Sequence, residues 1–132
     1  MSSLKIISET PVLMAQLKED LAKIKARDKE LSFRSNKTDD YLNHFVMLSA
    51  KEAEALKEKL EKFEIPRVKP EHLVKIVDIL PVTPEEVKTV LSGYTITISN
   101  ENCKKIADIV KEHQPKQKTT PQHEETPAPA TE

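Results

Sequence analysis

Apolar positions along the chain recur in short bursts at helical spacing, each bounded by residues that start or stop helices. Thr10 and Pro11 read as a cap and a first-turn proline, after which Leu13, Leu17, Leu21 and Ile24 share one face of a helix reaching about Arg27. The stretch "RDKELSFRSNK" breaks that period. Tyr41, Leu42, Phe45, Val46 and Leu48 then form the stripe of a short second helix, opened by Asp39 and Asp40, whose charges suit a positive helix end. Ser49 with Glu52 makes a capping box for a third helix, in which Ala53, Leu56, Leu60 and Phe63 face one way and most intervening residues are Glu or Lys.

The densest punctuation lies in "KIVDILPVTPEEVKTVLSGY", Lys75 to Tyr94. A fourth helix starts near Pro70 and is apolar at Leu73, Val74, Ile76, Val77, Ile79 and Leu80, too many for one stripe, so it is covered on most sides. Pro81 stops it. Thr83 and Glu86 form a second capping box around Pro84, and Gly93 supplies a left-handed cap at the far end of the fifth helix. "YTITIS" alternates and reads as an extended piece or very short strand, after which Ser99 caps a sixth helix carrying Cys103, Ile106, Ala107, Ile109 and Val110. "LKIIS" near the N-terminus reads as a short edge strand without an evident partner in the chain.

Composition sharpens this into an all-α expectation. Gly93 is the single glycine, a poor basis for an all-β fold full of tight hairpins. The hydrophobic fraction of 37% falls below the roughly 45–50% of an ordinary globular chain, which predicts a thin core. Gln114 to Glu132 holds Pro115, Pro121, Pro127 and Pro129 and no Ile, Leu, Val, Phe or Tyr, so it is expected to be a disordered tail. The predicted organisation is an N-terminal segment over 1–48, a compact helical domain over 49–113, and the tail over 114–132.

Charge removes several functions. Lys and Arg number 21 against 22 Asp and Glu, without the basic excess that coating nucleic acid or an anionic membrane favours. Aromatics are 4% with no Trp, leaving few platforms for base stacking. No apolar run reaches the length of a membrane span, no secretory leader is evident, and the lone Cys103 forms no internal disulfide. These features predict a cytoplasmic protein.

Candidate chemistry is sparse. His44, His72, His113 and His123 lack metal-site spacing with one another or with Cys103 and read as solvent-facing or helix-surface side chains. Phosphate-cradling glycine loops, nucleophile elbows and Cys-x-x-Cys pairs are absent from the sequence, and the many carboxylates read as solvated helix faces. The reading is non-enzymatic, with no cofactor and no metal. Arg67, Lys69 and Lys75 cluster about one helix start and could as a group contact phosphates, although each alone reads as a solubilising charge. The stripe of the first helix fits two uses equally, packing on this chain's own helices or forming an intermolecular face.

The order of elements is specific enough to carry a resemblance. "IPRVKPEHLVKIVDILPVTPEEVKTVLSGYTITISNENCKKIADIVKEH", with "DYLNHFVMLSAKEAEALKEKL" upstream, resembles the F-type, smaller stalk subunit of archaeal DNA-directed RNA polymerase, the counterpart of the smaller stalk subunit of eukaryotic RNA polymerase II. The likeness covers about Thr10 to His113, and its motifs are motifs of fold. It implies an N-terminal part that wraps onto the E-type, larger stalk subunit and a C-terminal domain similar to the helicase-and-RNase-D C-terminal (HRDC) type. The pair would form a stalk near the RNA exit path, acting in initiation, elongation and termination, with RNA contacted mainly through the larger stalk subunit and at most weakly here.

On that reading the chain forms an obligate heterodimer through Leu4, Ile6, Leu13, Leu17, Tyr41, Leu42 and Phe45, and through the larger stalk subunit joins the polymerase core. The alternatives are a free-standing helical nucleic-acid-binding module using Arg67, Lys69 and Lys75, and a generic helical adaptor.

Overall fold

The computed structural model of the chain describes residues 4–115, so the expected tail lies, apart from Gln114 and Pro115, outside the described residues. Six helices follow one another in this span: α1 Met14–Asp28, α2 Phe33–Phe45, α3 Ala50–Glu61, α4 Pro70–Ile79, α5 Pro84–Leu91 and α6 Asn100–His113. No strand occurs among the described residues, and both "LKIIS" and "YTITIS" lack strand pairing there. The fold is all-α, as the sequence predicts.

Helices α3 to α6 pack around one apolar cluster. Leu56 and Leu60 of α3, Ile76 of α4, Val87 of α5 and Ile106 and Val110 of α6 are all nearly or wholly inaccessible, and all but Val87, for which no inward face was predicted, are among the apolar positions read from the sequence. Leu13 and Ala15 join this cluster from the start of α1. Helix α2 packs principally on α1, and Leu42 is its one buried residue.

Local signals explain most helix starts. Ser49 Oγ accepts from the Glu52 amide at 3.2 Å while a Glu52 carboxylate oxygen accepts from the Ser49 amide at 3.3 Å, the reciprocal pair that the sequence predicts. Ser99 Oγ likewise accepts from the Asn102 amide at 3.3 Å. At α5, Thr83 Oγ1 accepts from the Glu86 amide at 3.2 Å, but the Glu86 carboxylate reaches one residue further back and accepts from Val82 at 2.7 Å.

Elsewhere tertiary structure overrides the local signal. Helix α1 starts at Met14 rather than beside Thr10 and Pro11, because Leu13 is drawn into the core and the free Met14 amide donates to Asp78 Oδ1 of α4 at 2.9 Å. The Ala50 amide opening α3 donates in the same way to Glu19 of α1, at 3.1 Å. Helix α2 also departs from the expected start, but for a local reason, beginning at Phe33 rather than near Asp39. Ser32 Oγ caps it by accepting from the Ser35 amide, and its first turns are too polar to show an apolar period.

Three further expectations are corrected. Gly93 has no left-handed φ; α5 ends in tight turns in which Ser92 donates to Thr89 and Tyr94 donates to Leu91, so no left-handed residue is needed there. Left-handed backbone falls instead on Lys29, Glu64, Arg67 and Leu80. Phe63 and Ile79, expected to face inward, are about half exposed, Phe63 because α3 ends at Glu61 before the stripe reaches it. His72 is buried, not solvent-facing, because its ring replaces the usual acidic member of a capping box; His123 lies outside the described residues.

Candidate partner-binding surface

Twelve large apolar side chains are exposed among the described residues, and all except Phe63 and Ile79 lie between Leu4 and Met47. The imbalance has a structural origin. Residues 4–13 run without helix and leave Leu4, Ile6, Ile7 and Val12 in solvent. Helix α2 has its principal contact with α1 and turns Phe33, Tyr41 and Phe45 outward.

On α2 those exposed rings follow the four-residue ridge Phe33, Lys37, Tyr41, Phe45. The Tyr41 and Phe45 rings are 4.7 Å apart between centroids, and Lys37 Nζ lies 5.0 Å from the Phe33 centroid. Helix α1 adds Leu17 and Ile24, seven residues apart and therefore on one stripe, each just over one-third exposed. Met47 extends the apolar surface into the α2–α3 link. An open groove of about 310 Å³ between that link and α1 is lined by Ala15, Lys18, Glu19, Ala22, Val46, Met47, Leu48 and Ser49.

The seven residues predicted for partner contact therefore divide. Leu4, Ile6, Leu17, Tyr41 and Phe45 are exposed, whereas Leu13 and Leu42 are buried in this chain and hold α1 and α2 in place. Ile7, Val12, Ile24, Phe33 and Met47 are exposed as well and were not among the seven, although Ile24 was read as part of the α1 stripe. Phe33 had a readable signal, an aromatic isolated in a polar stretch; the others depend on where α1 ends and what α2 covers.

The basic trio divides as well. Arg67 and Lys69 are exposed beside the start of α4, Arg67 on a left-handed backbone with φ 69°. Lys75 is half-buried, its Nζ 4.9 Å from the centroid of the Tyr94 ring. Cys103 is buried in the main core, and that burial pushes its thiol above the ordinary value, against a smaller opposing pull from Lys88. Among the described residues no group of three or more His, Cys, Asp or Glu is placed to hold a metal ion. No helix there is long and apolar enough to cross a membrane.

The profile of the RNA polymerase Rpb4 family matches residues 6–114, which spans all six helices and the exposed apolar face apart from Leu4. The chain belongs to this family. As a member of the RNA polymerase Rpb4 family it is an accessory polymerase subunit and not a catalytic one by itself, and it associates with the polymerase core. The match begins at Ile6, so it takes in most of the extended N-terminal residues ahead of Thr10, where the sequence resemblance starts. Comparison with curated proteins returns no match for the Rpb4-family chain.

Proposed function

We propose that this chain is the smaller stalk subunit of an archaeal RNA polymerase and that it binds the larger, E-type stalk subunit through the N-terminal apolar face. The observation that carries this reading is the concentration of exposed apolar side chains between Leu4 and Met47, while α3 to α6 bury theirs in one core. An accessory subunit needs a docking face, and a large apolar surface left open by one chain is the usual form of such a face. Each side chain of this kind contributes roughly 1.5–3 kcal/mol if fully buried, so a few together offset the cost of association.

On this proposal Leu4, Ile6, Leu17, Tyr41 and Phe45 contact the partner directly, and residues 4–12 lie along it in extended form. The helices from α3 onward act as an HRDC-like platform that supports the stalk near the RNA exit path through initiation, elongation and termination. Arg67 and Lys69 provide a weak edge for nascent RNA, with Lys75 more committed to Tyr94.

Co-expression with the larger stalk subunit tests the proposal. Leu17→Asp and Phe45→Asp are expected to abolish co-purification, while Ile79→Asp, an equally polar change at an exposed apolar residue outside this face, leaves it intact. Wild-type yields from both interface variants overturn the assignment. Hydrogen exchange at residues 4–7 should slow on adding the partner; unchanged exchange removes the N-terminal segment from the interface.

A further inference from the structure

His72 is the one buried polar or charged residue among the described residues. It sits in the first turn of α4, where its Nδ1 accepts a hydrogen bond from the Lys69 amide at 3.0 Å. An amide nitrogen can only donate, so Nδ1 carries no proton and the ring proton belongs on Nε2. The imidazole thus occupies the place of the Glu or Gln in a capping box. Unlike a glutamine, it can be converted from acceptor to donor by one proton.

We propose that His72 is a proton-sensitive helix cap that couples the corner before α4 to the segment after α5. The ring packs edge-on against Tyr94, with centroids 4.4 Å apart and planes at 70°. Tyr94, Ile96 and Ile98 in turn line an open groove of about 400 Å³ with Leu91, Asn100 and Cys103. Protonation sets an Nδ1–H against the Lys69 N–H, so the ring must leave its place and Tyr94 loses its support.

The charged and titratable groups around the ring act in opposite directions. Glu71 Oε1, 3.7 Å from Nε2, favours the cation, but that carboxylate is more than half exposed and screened by solvent. Against it stand the Lys69 amide, burial, the positive end of α4, and the Lys75 ammonium on the Tyr94 ring. Tyr94 itself brings a neutral phenol. The hydrogen-bond geometry sets the direction of the effect: the neutral ring completes the cap at Lys69, and a ring carrying a proton on Nδ1 does not.

His72→Gln retains a capping-box acceptor without the titration. Nitrogen-15 NMR and urea denaturation of the full chain at about pH 8 and about pH 5.5 test the proposal. Expected are the Nε2–H tautomer at the higher pH and a larger fall in urea midpoint on acidification for wild type than for H72Q. Lys69 amide exchange, corrected for its intrinsic rate, should also rise several-fold in wild type alone. An Nδ1–H tautomer, equal falls in midpoint, or unchanged Lys69 exchange in wild type each overturns it. If H72Q does not fold, the tautomer and the Lys69 exchange of the wild-type chain decide.

Discussion

The carboxylate of Asp78, near the end of α4, caps the first amide of α1 by accepting from Met14 at 2.9 Å across 64 residues of sequence. This bond fixes where α1 begins, and with it the direction in which residues 4–13 leave the core. Asp78→Ala leaves that amide without its cap and is expected to cost about 1–2 kcal/mol in urea denaturation at neutral pH. Asp78→Asn retains an acceptor of nearly the same shape and should cost less.

The pH dependence of the same residue has a definite sign. Burial raises the Asp78 carboxyl above its ordinary value of 3.8, and the Met14 hydrogen bond opposes this with a smaller effect. The folded state therefore holds the Asp78 proton more tightly than the unfolded state. The associated stability is fully present below the ordinary value and is lost as pH rises through the raised one. Relative to Asp78→Asn, wild type should gain stability on acidification through this window. A constant difference between the two proteins across the acidic range contradicts the assignment.

Glycine is absent from positions that need it and present where nothing requires it. Gly93 has no left-handed φ, and a Cβ there meets nothing within 4 Å. Gly93→Ala should therefore stabilise the protein by about 0.4–1 kcal/mol, by restricting the unfolded chain. Lys29, at the C-terminus of α1, has φ 62° with a full side chain. Lys29→Gly relieves that strain and is expected to stabilise by about 0.5–1 kcal/mol, net of the added chain entropy. Thermal unfolding of the two variants checks both signs; a destabilised Gly93→Ala variant would restore the left-handed cap.

These residues show what is legible in the sequence. Caps that close within a few residues, at Ser49, Thr83 and Ser99, can be read directly, and so can apolar stripes that meet other stripes, as in α3 and α6. The start of α1 cannot, because its cap is Asp78 on another helix. Gly93 misled because a glycine after a helix usually marks a left-handed residue, whereas this helix ends in tight turns. His72 misled because its acceptor role exists only once Lys69 folds back over it. At the candidate surface the apolar residues were visible, but whether each turned in or out depended on α2 touching little besides α1.

Cys103 offers a simple check on core packing. It lies on α6 within the main cluster, and its thiol is held above the ordinary value by burial. A thiol reagent should react slowly with the native chain and rapidly with one equivalent after denaturation. Cys103→Ser sets a hydroxyl in the same place and is expected to cost about 1–3 kcal/mol. Rapid stoichiometric labelling of native protein would show that α6 opens readily.

Leu42 and Phe45 separate fold from docking on a single helix. They lie three residues apart on α2, yet Leu42 is 2% exposed and Phe45 60%. Leu42→Ala empties the one buried position of α2 and should lower stability by about 2–5 kcal/mol, with α1 and α2 separating first. Phe45→Ala removes a mostly solvated ring and should change the stability of the isolated chain by less than about 0.5 kcal/mol. On the proposed pairing, its cost should emerge in complex, as weaker retention of the larger stalk subunit, because the ring and its Tyr41 neighbour supply apolar area that such a partner would cover. Urea denaturation of each variant alone, paired with co-purification of each with the partner, reads the two effects independently. If Phe45→Ala unfolds the isolated chain as Leu42→Ala does, the outward ridge of α2 is part of the fold and the docking face lies elsewhere.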